Sequence, residues 1–425
     1  MIRALCLAAV LLLALAAPAA AHNVTAGADL RLAQTIGGAE ITLVIKGTPR
    51  VPGPLRIGVA AFDGAAFDGA AGLPVRLEVR SLTGGGTTTG VARAAAEPEY
   101  AELRVEETGP HELTVRAGGE TSVVPFRVLV DRGSPGQFLI YGGLFAAGLL
   151  LVGGLLTGAV ARRGPAMLLA AGAAAGVTVA AMVVVFEPFV PPGPPDGAAP
   201  SADTLLAGGR PYAQGRFGTA PAQPVAGQEF TLTLDLVDGA TGRPVDDLVS
   251  HHEALAHLIV TSEDGRYFRH VHPLRTAPGR LEVRLRADRP GRYLAHAELE
   301  REDSGGQLLA GAFTVGGEPG DADGTAGAAG SPLLRPAVPV AGRPTTIEVA
   351  ADSPVRPWLG MSGHLIVRSQ DGSFLGHVHE MGAPGTRLRF TFSFPRAGRY
   401  LAWAQHATTD HIVTRPFAVD VAEAR

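Results

Sequence analysis

The chain has 425 residues, too many for one ordinary domain, and its length points to two to four units. A hydrophobic share of 46% against 18% charged residues excludes a disordered chain, and a formal net charge of −4 gives no basic field to draw in nucleic acid. Heavy Ala, Gly and Pro usage with a single lysine, Lys46, reads as a high-GC bacterial composition.

Residues 1–21 read as a secretion signal: Arg3 gives the positive start, residues 5–15 the apolar run, and Ala19-Ala20-Ala21 the small-residue cleavage pattern. Cleavage there leaves His22 as the first residue, able to chelate copper through its free amine and imidazole together. Cys6, the sole cysteine, is lost with the signal. The mature chain then has no thiol, which excludes disulfides, a thiolate zinc site and a blue-copper centre.

Residues 22–136 carry short alternating stretches (40–46, 74–80, 112–116, 122–130) between Gly/Pro-rich turns, the pattern of an extracytoplasmic β-sandwich. Residues 137–187 read as a transmembrane helical hairpin with spans at 138–161 and 166–186. Arg162 and Arg163 lie in the tight turn between the spans, which favours the cytoplasm for the turn and the outer side for both flanks. A Pro/Gly/Ala linker (188–203) leads to a second domain at 204–316, and a flexible stretch (317–331) to a third at 332–425.

Those last two domains are a repeat. Residues 257–272 (HLIVTSEDGRYFRHVH) match residues 364–379 (HLIVRSQDGSFLGHVH) at 10 of 16 positions, and the GRYLA segments at 291–295 and 398–402 keep the same offset of 107 residues. Of 13 histidines, 11 fall between His251 and His411, and the two copies share His257, His270, His272 and His364, His377, His379.

Asp264-Gly265 and Asp371-Gly372 are hairpin-turn signals. A two-residue turn pairs residues 263 and 266, sets His257 opposite His272 at about 4.5–5.5 Å between Cβ atoms, and puts His270 on the same face. A three-residue loop would move His257 to the other face. Three neutral imidazoles at one point suit zinc or copper; Met361 and Met381 flank the second cluster, and their thioethers favour copper over zinc. His296, in the first GRYLAH strand where the second copy has Trp403, is a further candidate ligand. His251, His252, His406 and His411 are weaker candidates, as fourth ligands, supporting partners or surface residues. So is His111, as a partner for His22.

The exported N-terminal histidine, the HLIV…DG…HVH hairpins and the GRYLA strands resemble bacterial extracytoplasmic proteins of the YtkA-like, FixH-like and CopC-like kind. The resemblance implies immunoglobulin-like or cupredoxin-like β-sandwiches, three here in an all-β chain, at the periplasmic face of a bacterial plasma membrane. It also implies copper handling, with His22 as the residue that carries over; a clear Asp-x-His partner motif late in the first domain is missing. The expectation is a two-span, membrane-anchored protein that sequesters copper or delivers it to a membrane copper transporter or other metal-accepting protein, with one ion per His-rich domain. An immunoglobulin-like envelope scaffold or adhesion protein is the alternative. A metalloenzyme is disfavoured: residues 377–380 (HVHE) are similar to a cupin motif but lack its spacing and its downstream Glu, and no catalytic set stands out.

Overall fold

The structure, a computed structural model, describes residues 27–64, 72–131, 135–186, 189, 194–199, 212–302, 304–318, 332–351, 353–380, 382, 385–408 and 411–424. The expected signal segment, His22 and Met381 lie outside these.

Alternation builds the first sandwich. One sheet holds β1 (Leu30–Ile36), β2 (Ala39–Ile45), β3 (Gly53–Gly64) and β6 (Tyr100–Val105); the other holds β4 (Pro74–Ser81), β5 (Thr87–Arg93), β7 (Gly109–Ala117) and β8 (Glu120–Val128). In β4, Val75, Leu77 and Val79 are buried while Arg76 and Arg80 face out. Inward residues of both sheets close a core around Ile41, Leu43, Ile57, Leu77, Leu103 and Leu113.

Two helices follow, α1 (Pro135–Leu156) and α2 (Arg163–Phe186), joined through a 3-10 turn at Ala159–Ala161. Both are long and apolar enough to cross a membrane. The first stops five residues short of the expected 161 because Gly158 takes a left-handed φ of 67°, and Arg163 opens the second helix instead of lying in the turn. Large side chains point outward, with Phe138 73% and Leu168 77% exposed. The seam between the helices is made of small residues: a Cβ on Gly143 or Gly176 would stand 2.5 Å from the other's carbonyl oxygen, with Ala147 and Ala180 alongside. A hairpin in water would turn its large side chains inward; this one turns them outward, an arrangement compatible with a bilayer. Beyond it, Asp196 and Val130 exchange backbone hydrogen bonds of 2.9 and 3.1 Å, tying the returning chain to the first sandwich.

The first repeat packs the sheet of β9 (Ala213–Ala220), β10 (Glu229–Asp238), β14 (Leu274–Ala277) and β15 (Arg280–Arg286) on that of β11 (Leu248–Val249), β12 (Ala256–Ser262), β13 (Phe268–Val271), β16 (Gly291–Arg301) and β17 (Gly305–Val315). The second packs β18 (Leu333–Arg335), β19 (Pro344–Ala350) and β22 (Arg387–Ser393) on β20 (Gly363–Ser369), β21 (Leu375–Glu380), β23 (Gly398–Ala407) and β24 (His411–Val421). In each, a tyrosine at the start of the GRYLA strand bonds back four residues: Tyr293 to the Arg289 carbonyl at 2.8 Å and Tyr400 to that of Arg396 at 3.0 Å. This is the tyrosine corner of Greek-key sandwiches. The chain is thus all-β, three sandwiches and one helical hairpin.

The uninterrupted apolar run of β12 and β20 follows from burial on both faces. Leu258, Val260 and Val271 enter the first repeat's own core, and Leu365 and Val367 the second's. The opposite faces meet each other: Ile259 and Phe268 pack on Ile366, Leu375 and Trp403, with Phe268 and Trp403 stacked at 4.8 Å. Contacts are reciprocal at the 107-residue offset, as in a two-fold interface: Gly265 lies under Leu401, and Gly372 under Leu294. Arg368, fully buried, donates to Thr261 Oγ1 at 2.5 Å and to the Ser262 and Glu263 carbonyls at 2.9 and 2.8 Å. The first sandwich docks here too. Thr35 and His272 exchange two bonds, Thr35 N–H to the His272 carbonyl at 2.8 Å and His272 N–H to Thr35 Oγ1 at 2.9 Å, and β3 pairs in parallel with β24.

Candidate metal centre

The register of the first His hairpin matches the sequence arithmetic, though its loop is longer than expected. Pairing runs Leu258↔Val271, Ile259↔His270 and Thr261↔Phe268, and Ser262 N–H still bonds the Tyr267 carbonyl at 3.1 Å. The loop therefore spans residues 263–266, four instead of two, and parity is unchanged. Asp264 holds it by accepting from Ser262 Oγ and Arg266 N–H. In the second copy His364 pairs directly with His379, and Ile366 with His377.

On the interface side of these strands the six repeat histidines form one continuous cluster across the two repeats. Ring centroids stand 4.9 Å apart for His257 and His272, 5.0 Å for His270 and His272, 5.4 Å for His364 and His377, and 4.4 Å for His377 and His379. Contacts across the interface are as close: His270–His377 at 5.2 Å and His257–His377 at 5.5 Å. Two triads, His257/His270/His377 and His364/His377/His379, each bring three ligand atoms within 4.8 Å of one another. His377 belongs to both.

Five of the six rings share one pattern. An outward nitrogen faces an oxygen: His257 Nε2 the His251 carbonyl at 3.0 Å, His364 Nε2 the Trp358 carbonyl at 3.2 Å, His270 Nδ1 Gln405 Oε1 at 2.9 Å, His272 Nδ1 Glu40 at 2.5 Å, and His377 Nδ1 Glu298 at 2.8 Å. Carbonyls and carboxylates only accept, so the outward nitrogens carry the protons. With the rings neutral, the inward nitrogens present lone pairs to one another: His257 Nδ1 lies 3.1 Å from both His270 Nε2 and His272 Nε2, and His364 Nδ1 3.2 Å from His377 Nε2. Lone pairs at such distances repel unless a proton or a metal ion lies between them. Nitrogens held about 2.0–2.1 Å from a tetrahedral ion stand roughly 3.3 Å apart, close to the observed spacing. Fixing ligand rings through the second nitrogen is also how metal sites set tautomer and orientation.

Burial, and then the neighbouring rings, hold His257, His270 and His364 well below the ordinary imidazole value of 6.5. For the same reasons His379 is drawn down to about 3. Its Nε2 is buried without a hydrogen-bond partner. Neutral rings are the metal-binding form.

The other candidates are placed as follows. His296 lies at the apolar part of the interface, bonded to the Gly372 backbone, and is in neither triad. Met361 closes the turn at 358–361, exchanging backbone bonds with Trp358, and is half-buried. The His251 and His252 rings meet edge to face with centroids 3.9 Å apart, and the His252 ring lies 4.1 Å from that of His379. His406 is buried, His411 exposed. His111 bonds the Gly109 carbonyl at 3.0 Å and packs on Phe126.

Sequence reasoning missed Glu40, Glu298, Gln405 and Trp358. Glu298 and Gln405 are repeat equivalents, both seven residues past the glycine that opens their strands, so a polar pair on one strand face was a readable signal. Glu40, 232 residues from His272, left none.

A sequence profile described as a domain of unknown function (DUF8832) matches residues 215–318 and 335–423, one stretch per repeat. Comparison with curated proteins gives no match. Among solved structures, the chain is similar to a tetra-tandem repeat from the extending region of a large adhesion protein, at 9% identity and TM-score 0.17 over 93% of this chain and 74% of that one. It is also similar to FdeC, an Escherichia coli adhesin, at 12% identity and TM-score 0.18 over 88% and 94%. A two-domain fibronectin type-III segment of chicken tenascin matches at 11% identity and TM-score 0.17 over 50% and 99%. Superpositions this loose carry no argument about function.

Proposed function

We propose that the chain is a membrane-anchored extracytoplasmic protein that holds one transition-metal ion, copper in preference to zinc, between its two repeats, and sequesters it or passes it to a metal-accepting membrane partner. The observation that carries this reading is the set of inward imidazole nitrogens at 3.1–3.2 Å with their outward partners all acceptors. His257, His270 and His377, or His364, His377 and His379, would hold the ion. Because both triads use His377, the reading is one ion per chain instead of one per repeat. A thiol-free imidazole set suits Cu(II) and Zn(II) alike; Met361, three residues before His364 in the sequence, tips the choice to copper. Arg162 in the hairpin turn and Arg163 at the start of the second helix support a cytoplasmic turn and outer domains.

The test is metal analysis of the full chain in detergent, purified without chelators and titrated with Cu(II) and Zn(II). One ion per chain is expected, falling to background in the His270→Ala/His377→Ala double variant; a chain that takes up neither ion overturns the reading.

A second reading is a tandem-sandwich scaffold or adhesion module. It is favoured by the same oxygen anchors and by the Arg368 staple, which knit the repeats together with no ion required. Under it, the titration shows no uptake.

A further inference from the structure

The repeats are close to two-fold related, but the histidine cluster has two different ends. Each repeat opens its hairpin with the same tight turn, residues 251–254 in the first and 358–361 in the second, closed by paired backbone bonds. Both central residues of each turn have positive φ: His252 at 47° and Glu253 at 61°, Leu359 at 54° and Gly360 at 73°. The turns carry different chemistry.

In the second repeat, Trp358 and Leu359 are each 2% exposed. Trp358 covers His364, His270 and His272 at 4.8, 5.6 and 6.1 Å. The first sandwich closes the same end, gripping His272 through Thr35 and Glu40, the latter wholly buried. That end is shut to solvent.

At the other end the turn carries His251 and His252. Both are half-exposed, and His251 Nδ1 is held 3.1 Å from Glu300. His252 lies 4.1 Å from His379, whose buried Nε2 has no partner, and His379 lies 4.4 Å from His377 in the shared triads. Nitrogen donors thus run without a gap from the surface to the buried cluster. His252 and Glu253 take the left-handed turn conformation without a glycine, and the first sandwich holds the turn there through Ala33 N–H to the Glu253 carbonyl at 2.5 Å and Arg31 Nε to Glu253 Oε1 at 2.6 Å.

We infer that the cluster exchanges its ion through one end only, along His251, His252 and His379, while the His272 end stays shut. This rests on the metal reading above, and it assigns to the 251–254 turn the surface from which a hydrated or weakly chelated divalent cation is taken up and given back.

Both tryptophans, Trp358 and Trp403, lie at the interface, so Cu(II) loading can be followed by their fluorescence in stopped flow on the full chain in detergent. The variants are His252→Asn and His252→Gly, both tolerant of positive φ and so expected to fold, with Thr35→Val as the control at the shut end. The expected result is that the His252 variants slow both loading and chelator-driven release at least tenfold, with the dissociation constant and one-ion stoichiometry unchanged, while Thr35→Val loads at the wild-type rate. If the His252 variants load as fast as wild type, the route is wrong although the metal site stands. If wild type itself takes up no Cu(II), site and route fall together.

Discussion

His377 is the ring most exposed to test, since it sits in both triads and reaches across the interface to Glu298. Replacing it with Ala is expected to lower metal affinity by at least a hundredfold, whereas His296→Ala, outside both triads, is expected to leave affinity within about threefold; isothermal titration compares the two. Glu298→Gln should keep the ring in place but weaken its basicity, lowering affinity by about 10–100-fold. At this scale pH also has a fixed sign. His257, His270 and His364 are held neutral by burial in the folded chain, below the ordinary value of 6.5 they regain on unfolding. Below that value the unfolded chain binds more protons, so stability is full above about pH 6.5 and is lost as pH falls towards the folded values, by about 1.4 kcal/mol per pH unit for each ring. Thermal melts of the metal-free chain should therefore shift down steadily between roughly pH 7 and 5; a flat profile would contradict the burial argument.

At the scale of elements, everything depends on strand parity. The loop at 263–266 preserves it, so His270 and His272 face the second repeat while Val271 faces the core. Inserting one glycine after Gly265 should turn His270 and His272 into the first repeat's own core and abolish metal uptake; retention of uptake in a folded variant would mean the register argument is wrong. The interface is likewise testable: Ile366→Ala, at a fully buried position of the apolar contact, should cost about 2–5 kcal/mol in denaturant melts. The hairpins, their pairing and the convergence of three rings per copy were legible because DG turns, period-two alternation and a constant 107-residue offset are local or internal signals. What sequence could not supply was the docking of one repeat on the other. The apolar run of β12 hid which of its faces was a domain core and which an interface, so one ion per His-rich domain was expected, with separate or shared sites left open, where one continuous histidine cluster formed.

For the whole molecule, the hairpin and the first sandwich decide where and how this cluster is presented. Gly143 and Gly176 allow backbone contact between α1 and α2, and Gly143→Ile is expected to split the hairpin, measured as loss of a cysteine crosslink engineered across the seam. The first sandwich reaches His272 through Glu40 and Thr35 although the whole helical hairpin intervenes in the chain. Contacts of that range leave no trace in periodicity or motif; only the fold reveals them. The most direct test of the account is X-ray absorption on the full chain loaded with one equivalent of Cu(II), read with the stoichiometry at saturation. A single ion bound by three or more imidazole nitrogens at about 2.0 Å, lost on removing His377, is the predicted result. Two independent ions that survive without His377, or a spectrum with no imidazole scattering, would contradict it.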